Sequence, residues 1–448
     1  MNLEGKNITV IGAFRSGIGA AKLIQKLGGV PFVSDSSDDE KVKNSVRLLE
    51  DLDIDFEFGK HSDKVFDCDL MVASPGVPLD SEVLTNAREK RIKIISEVEL
   101  AYKFCKGTIV AITGTNGKTT TTSLCGHVFS SCGVNTFTAG NIGLAFSEVV
   151  LDVGQDDFAV LEVSSFQLDL IDMFKPKVAV ILNISPDHLN RYDYDYQKYI
   201  KSKMRIFENH DETDFLILNR DSNVLMDSLN YHRSKDYYFS LSSKSTNGCF
   251  IKDGEVVFSD NDIEKFRCKI SDINLRGEHN YSNAMAVICA AKIFDFENEK
   301  IIEGLRTFKG VEHRLEFVRE IGGVKYINDS KATNVDSVWY ALRSFDQPIY
   351  LILGGQDKGN DYNQIKDLVI SKVKKIYAIG SSADKIFNFF HKDVKVEIKS
   401  SLDEVVAAAN SEAKENDIVL LSPACASFDM FNDYEHRGKV FKDLVNGL

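Results

Sequence analysis

The chain reads as an α/β protein built on mostly parallel sheets. Short apolar runs alternate with longer amphipathic segments along almost the whole sequence. Most of the runs end in or are followed by Gly, Ser or Asp, and a helical pattern then begins. A strand that ends in a turn and feeds a helix is the repeating unit of a parallel sheet, because parallel neighbours need a crossover between them. Length is the third observation: at roughly 100–200 residues per domain, it suggests two to four domains, each able to bury a core.

The strand-like runs, in order, are Ile8–Gly12, Leu70–Ser74, Ile109–Thr113, Ala159–Val163, Val178–Asn183, Phe215–Asn219, Ile349–Gly354, Lys375–Ile379 and Ile418–Ser422. Gly248–Ser259 is the exception. Its Asp253-Gly254 between two alternating runs predicts an antiparallel hairpin. A helical stretch, Val98–Phe104, precedes a fresh Gly-rich motif, and the helix-like Ala284–Phe308 precedes a Lys-Gly turn. Boundaries near Phe104 and Val311 follow, dividing the chain into residues 1–103, 104–311 and 312–448.

Composition excludes several classes. With 7 prolines and no low-complexity tract, long disordered segments are not expected. The net charge of −13, spread without an acidic tail, disfavours wrapping nucleic-acid phosphate. A small anion can still bind at a local backbone-amide site. Cys68, Cys105, Cys125, Cys132, Cys249, Cys268, Cys289 and Cys425 show no Cys-x-x-Cys spacing. They read as reduced thiols of a cytoplasmic protein, neither a zinc site nor a disulfide framework. Residues Met1–Val10 lack a signal-peptide pattern, and no apolar stretch approaches the ~18 residues that span a membrane.

The strongest local signal is the strand Ile109–Thr113 running into Gly114-Thr-Asn-Gly117-Lys118-Thr119-Thr120 and a helix. Glycines let successive amides point at one anion. Lys118 would reach the β- and γ-phosphates of a nucleotide, and the Thr119 hydroxyl would ligate Mg²⁺. The full Walker pattern wants Gly six residues before the lysine, where Ile112 stands. A phosphate site needs an acid at a nearby strand end. "LEVSSFQL" supplies Glu162 inside an apolar run, and "ILNISPDHLNRY" places Asp187 and His188 just past the next strand.

Tyr196–Glu208 has helical periodicity with an apolar stripe through Ile200, Met204 and Phe207. Lys203 falls on that stripe, whereas Lys198 and Lys201 face outward. From the pattern alone, a snorkelling lysine is the favoured reading. Near the N-terminus, "ITVIGAFRSGIGAA" lacks Gly-x-Gly-x-x-Gly spacing, which argues against a dinucleotide dehydrogenase. Its strand–turn–helix context still suits a diphosphate.

Taken together, "TGTNGKTTT", "LEVSSFQL", "ILNISPDHLNRY", "GEHNYSNA", "EHRLE", "INDSKATN" and "LLSPACASFDMF" resemble the ATP-dependent Mur ligases of bacterial cell-wall synthesis. The motifs run in family order from Ile109 to Lys439, and the first hundred residues match more loosely. Within the family, Asn328–Asn334 and Ser422–Phe431 resemble the D-glutamate-adding branch. The resemblance implies a Rossmann-like N-terminal sheet domain that binds UDP, a central P-loop-type ATPase domain, and a Rossmann-like C-terminal domain that binds the amino acid. It implies ATP-dependent addition of D-glutamate to UDP-MurNAc-L-Ala, through an acyl phosphate, in a cytoplasmic monomer.

The resemblance also implies site roles. Lys203 would be carbamylated, giving a carboxylate-like ligand for one of two Mg²⁺ ions, with Thr119, Glu162 and His188 as the other ligands. Asn141 would contact the nucleotide sugar and transition state. Asn280 and Asn283 would lie at the adenine, and Arg314, Asp329 and Lys331 near the ATP phosphates and ribose. D-Glutamate would meet Lys331, Thr333, Lys358, Ser427 and Tyr434. The UDP moiety would meet Arg15, Ser16, Asp35, Ser36 and Ser74. Two other readings compete: another ADP-forming amide ligase of the folylpolyglutamate type, and a nucleotide-gated binding protein that hydrolyses ATP slowly.

Overall fold

The computed structural model describes residues 1–38, 42, 45–275 and 277–448. They form two compact units, Met1–Asn274 with Tyr281–Phe308, and Leu275–Asn280 with Lys309–Leu448.

The first unit holds two sheets. One is fully parallel and ordered, edge to edge, Asp55–Phe58, Val30–Asp35, Asn7–Ile11, Leu70–Ala73, Ile94–Ser96. Strand order reverses between Asn7–Ile11 and Leu70–Ala73, so the loops after these two strands flank a crevice at their carboxyl ends. The other sheet has nine strands. Its parallel heart is Phe215–Asn219, Val178–Ile181, Thr108–Thr113, Phe158–Glu162 and Thr136–Gly140, in that order. At the far edge Gly248–Lys252 and Glu255–Asp260 form the expected antiparallel hairpin, and Ile263–Lys269 extends it.

Beside a separate cluster around Met71 and Leu84, one apolar core runs through both sheets of this unit, from Ile8 and Val10 to Ala111, Ile181 and Leu218. Two buried glutamates reinforce it. Glu99 accepts the backbone N–H groups of Asp172, Met173 and Phe174, and Lys103 pairs with it at 2.8 Å. Glu97 accepts from the Ser147 N–H at 2.6 Å. Each glutamate thus ties the helix Glu97–Tyr102 to a segment of the nine-stranded half.

Glu97 gives a pH prediction. Complete burial pushes its carboxyl up from 4.5 to about 7, although the Ser147 hydrogen bonds oppose this. The folded chain therefore holds a proton that the unfolded chain has released across that window. Stability falls as pH rises from 4.5 to about 7 and levels off above, by an amount on the order of 3 kcal/mol. Glu97→Gln keeps an acceptor for Ser147 and removes the titration. Its thermal midpoint should gain on the parent between pH 5 and pH 8, and an offset that does not change with pH would refute the assignment.

The second unit is built on a six-stranded sheet ordered Glu316–Ile321, Val324–Asn328, Ile418–Leu421, Ile349–Gly354, Val373–Ile379, Lys395–Ile398. Only the Glu316–Ile321 edge is antiparallel. Its two faces carry separate cores, one around Leu351, Ile376 and Leu420, the other around Tyr377, Val419 and Phe441.

Three helical expectations need correction. Val98–Phe104 is a helix at Glu97–Tyr102, opened by the Ser96 hydroxyl accepting from the Glu99 N–H. Ala284–Phe308 is two helices, Glu278–Ile293 and Asn298–Thr307. The break lets Phe294 and Phe296 both pack edge-on against Phe129. Tyr196–Glu208 is α-helical only to Met204, and Arg205–Phe207 tighten into a 3₁₀ turn. That shift does not disturb the stripe: Ile200, Lys203 and Phe207 are buried, while Lys198 and Lys201 are exposed.

Candidate active site

The loop Gly114–Gly117 joins the strand Thr108–Thr113 to the helix Lys118–Ser131. Gly117 caps that helix at φ +85°, and a Cβ there would come within 2.6 Å of the Asn283 Oδ1. Only glycine meets both demands. The loop after Val178–Ile181 braces it. Asn183 accepts from the Asn116 N–H at 2.9 Å and donates to the Asn116 carbonyl at 3.0 Å. The Thr115 hydroxyl donates to the Ser185 carbonyl and lies 3.1 Å from the Tyr199 hydroxyl. The buried Thr119 and Thr120 follow in the first helical turn, whose amides have no partner within the helix.

Two lysines converge here. Lys118 Nζ donates to the Gly114 and Thr115 carbonyls at 2.9 and 2.8 Å. Lys203 Nζ, from the neighbouring helix and only 2% exposed, donates to the same Gly114 carbonyl at 2.8 Å. Burial, and then the Lys118 charge, hold the Lys203 ammonium well below the ordinary lysine range, against the pull of Asp187, Glu162 and Asp169. Burial thus disfavours the charged form of Lys203, and at 2% exposure its side chain does not snorkel to solvent.

Glu162 ends the strand Phe158–Glu162 and is 2% exposed. Its Oε1 accepts from the Asn141 side chain at 2.9 Å. Its Oε2 is buried without a hydrogen-bond partner. An orphaned buried carboxylate oxygen is costly, and a hard divalent cation suits it. Glu162 Oε2 and the Thr119 hydroxyl are hard oxygen donors of the kind Mg²⁺ takes. His188 sits at φ +52° at the head of the turn Leu189–Tyr192, its ring edge-on to Phe166. Among the described residues, one trio of acidic and histidine side chains brings ligand atoms within 4.8 Å of one another: Glu312, His313 and Glu316, in the second unit. Lys442 already bridges its two carboxylates at 2.7 Å.

At the first sheet, Asp35 accepts from the Ala13 and Ser37 N–H groups and so shapes the turn after Asn7–Ile11. A Cβ on Gly17 would overlap the Gly12 carbonyl at 1.8 Å. Ser74 donates to that same carbonyl at 3.3 Å. Arg15 donates to the Gly143 carbonyl of the Asn141 loop, Ser16 is half-buried, and Ser36 is exposed.

In the second unit, Asp329, Lys331 and Thr333 follow Val324–Asn328, Ser427 follows Ile418–Leu421, and Lys358 follows Ile349–Gly354. These strands are adjacent and parallel, so their three loops emerge at one sheet end. Asp329 accepts from the Ser422 hydroxyl at 2.8 Å and the Leu315 N–H at 3.2 Å. Burial pushes its carboxyl up to about 6, with the Arg314 charge opposing. Lys331 Nζ stands 5.1 Å over the Tyr434 ring. Lys358 is exposed. Asn280 falls in this unit and Asn283 in the first.

Two arginines escaped the sequence reading. Arg191 donates to the carbonyls of Pro75, Gly76 and Val77, beside Ser74, and lies over the Phe166 ring. No periodicity marks it. Arg437 is 0% exposed. It shares an i, i+4, i+8 stripe with Phe441 and Val445, the same signal that singles out Lys203.

Known proteins match this chain along its length. Residues 112–291 match the model of the Mur ligase middle domain, 313–425 that of the Mur ligase glutamate ligase domain, and 20–83 that of the MurD N-terminal domain. The chain is 43% identical to a UDP-N-acetylmuramoylalanine–D-glutamate ligase of Koribacter versatilis, covering 100% of this chain and 99% of that one. It is 42% identical to the Salinibacter ruber protein of the same name, covering 98% and 97%. The fold matches UDP-N-acetylmuramate-alanine ligase MurC of Thermotoga maritima with a TM-score of 0.65 at 19% identity, covering 99% of each chain. The chain belongs to the Mur ligase family.

Proposed function

We propose that the chain joins D-glutamate to UDP-N-acetylmuramoyl-L-alanine, splitting ATP to ADP and phosphate, in cytoplasmic peptidoglycan precursor synthesis. The observation that carries this reading is the 43% identity, end to end, with D-glutamate ligases. The convergence of Lys118, Lys203 and Glu162 on one phosphate-type loop supports it.

In the first step the terminal carboxylate of the nucleotide sugar attacks the γ-phosphorus of ATP, giving an acyl phosphate and ADP. In the second the D-glutamate amine attacks the activated carbonyl and phosphate leaves. Activation is needed because a carboxylate is a poor electrophile. Lys118 and the amides of the loop and helix end hold the β- and γ-phosphates. Asn141, fixed to Glu162, orients the sugar-borne carboxylate, and His188 joins it in binding the nucleotide sugar. Asn280 and Asn283 read adenine, and Arg314 and Asp329 serve the phosphates and ribose. Arg15, Ser16, Asp35, Ser36 and Ser74 hold the UDP moiety.

Thr119, Glu162, His188 and carbamylated Lys203 would hold Mg²⁺ at two sites. The bound metal neutralises charge on the transferring phosphoryl group. A neutral Lys203 amine is the form that adds CO₂, releasing one proton. Lys331, Thr333, Lys358, Ser427 and Tyr434 take the amino acid. Two lysines suit its two carboxylates. The chain acts as a monomer.

Phosphate release from Mg-ATP and UDP-MurNAc-L-Ala tests the reading, with D-glutamate, L-glutamate, L-alanine, L-lysine and meso-diaminopimelate compared as acceptors. Release should require both the nucleotide sugar and D-glutamate. Release with another amino acid moves the chain to another ligation step. Release with none of them overturns the reading.

A further inference from the structure

Among the described residues Arg437 is the largest side chain with no solvent exposure, and it lies in the helix Tyr434–Asn446. A buried guanidinium normally has a carboxylate partner. Among the described residues this one forms no ion pair, and its partners are backbone carbonyls and one hydroxyl. Nε donates to the Ser330 hydroxyl at 3.0 Å. Nη2 donates to the Ser330 carbonyl at 2.8 Å and to the Cys425 carbonyl at 3.2 Å. Nη1 donates to the Cys425 carbonyl at 3.2 Å and the Ala426 carbonyl at 3.5 Å. A Cβ on Gly355 would stand 3.2 Å from Nη1, so a third loop packs against the same group.

The two segments clamped in this way are the ones that lead directly into Lys331 and Ser427. We infer that Arg437 is a positioning residue for the amino-acid site: its planar fork fixes the Ser330–Lys331 and Cys425–Ser427 segments relative to each other. A planar fork suits this task because several donors are held in one fixed geometry. A lysine gathers its three donors on one atom and cannot reproduce the spread, planar geometry of the fork. The inference rests on the acceptor being D-glutamate, as proposed above.

The test uses the full chain and three variants: Arg437→Met, which keeps bulk and loses charge and fork; Arg437→Lys, which keeps charge; and Ser330→Ala, which removes one acceptor and is the mildest. KM is measured separately for D-glutamate, ATP and the nucleotide sugar. ADP formation from nucleotide sugar and ATP alone, in a single turnover, reads the step before the amino acid is needed. Arg437→Met should raise the KM for D-glutamate by about tenfold or more, Arg437→Lys by less, and Ser330→Ala by roughly threefold. The other two KM values and the single-turnover step should stay within about twofold of the parent.

Equal movement of all three KM values, or loss of the single-turnover step, would make Arg437 a general structural element and overturn the inference. If both Arg437 variants fail to fold, Ser330→Ala decides, and an unchanged D-glutamate KM refutes the clamp. Absence of D-glutamate-dependent turnover in the parent chain would instead count against the proposed function.

Discussion

Lys203→Ala should lower turnover by about 10³-fold or more, with the fold intact, and short-chain carboxylic acids should restore part of it. The argument starts from burial. Lys203 is held among Gly114, Lys118 and Glu162, and burial and a neighbouring ammonium disfavour its charge. On the proposed reading the amine takes up CO₂, and the carbamate would supply oxygens to a metal held also by Glu162, whose Oε2 has no hydrogen-bond partner. Removing the lysine removes those oxygens and leaves a cavity that a small carboxylate can enter. Turnover equal to the parent without any additive would take Lys203 out of the mechanism. A loss that no carboxylate repairs would leave the lysine needed as an amine.

Lys118→Ala should cost a similar factor, about 10³-fold in kcat/KM for ATP, and no added carboxylate should rescue it. Its ammonium stands at the head of the phosphate-type loop and donates to the Gly114 and Thr115 carbonyls, four and three residues away. Those carbonyls keep other support, because Lys203 also donates to Gly114 and the Thr115 side chain is tied to Ser185. Stability should therefore change little, and the thermal midpoint should stay within a few degrees of the parent. The loop retains its amides, so ATP should still bind weakly. An ATP KM and kcat both within about threefold of the parent would show that the loop amides alone carry the phosphates. The two lysine variants separate the roles: only one is open to rescue, although both side chains share one acceptor.

Much of this architecture was legible in the primary structure. The parallel strands were visible because strands buried on both faces read as short apolar runs. The phosphate-type loop was visible because glycines, lysine and threonines must occur in order between a strand and a helix. The inward direction of Lys203 was visible because helical period places it beside Ile200 and Phe207, and burial confirms it. Helix ends were less legible. The break between Ile293 and Asn298 follows from where Phe294 and Phe296 find an aromatic partner in Phe129, a contact far away in sequence.

What the sequence determined by itself was the class of fold, the location of the candidate chemistry and the family, because each depends on local pattern or on the order of motifs. Only the tertiary structure decided which groups lack partners and which are held by distant loops. The orphaned oxygen of Glu162, the disfavoured charge of Lys203, the raised carboxyl of Glu97 and the complete burial of Arg437 all depend on desolvation. Desolvation depends on what every other segment of the chain places around a group, and no window of sequence contains that.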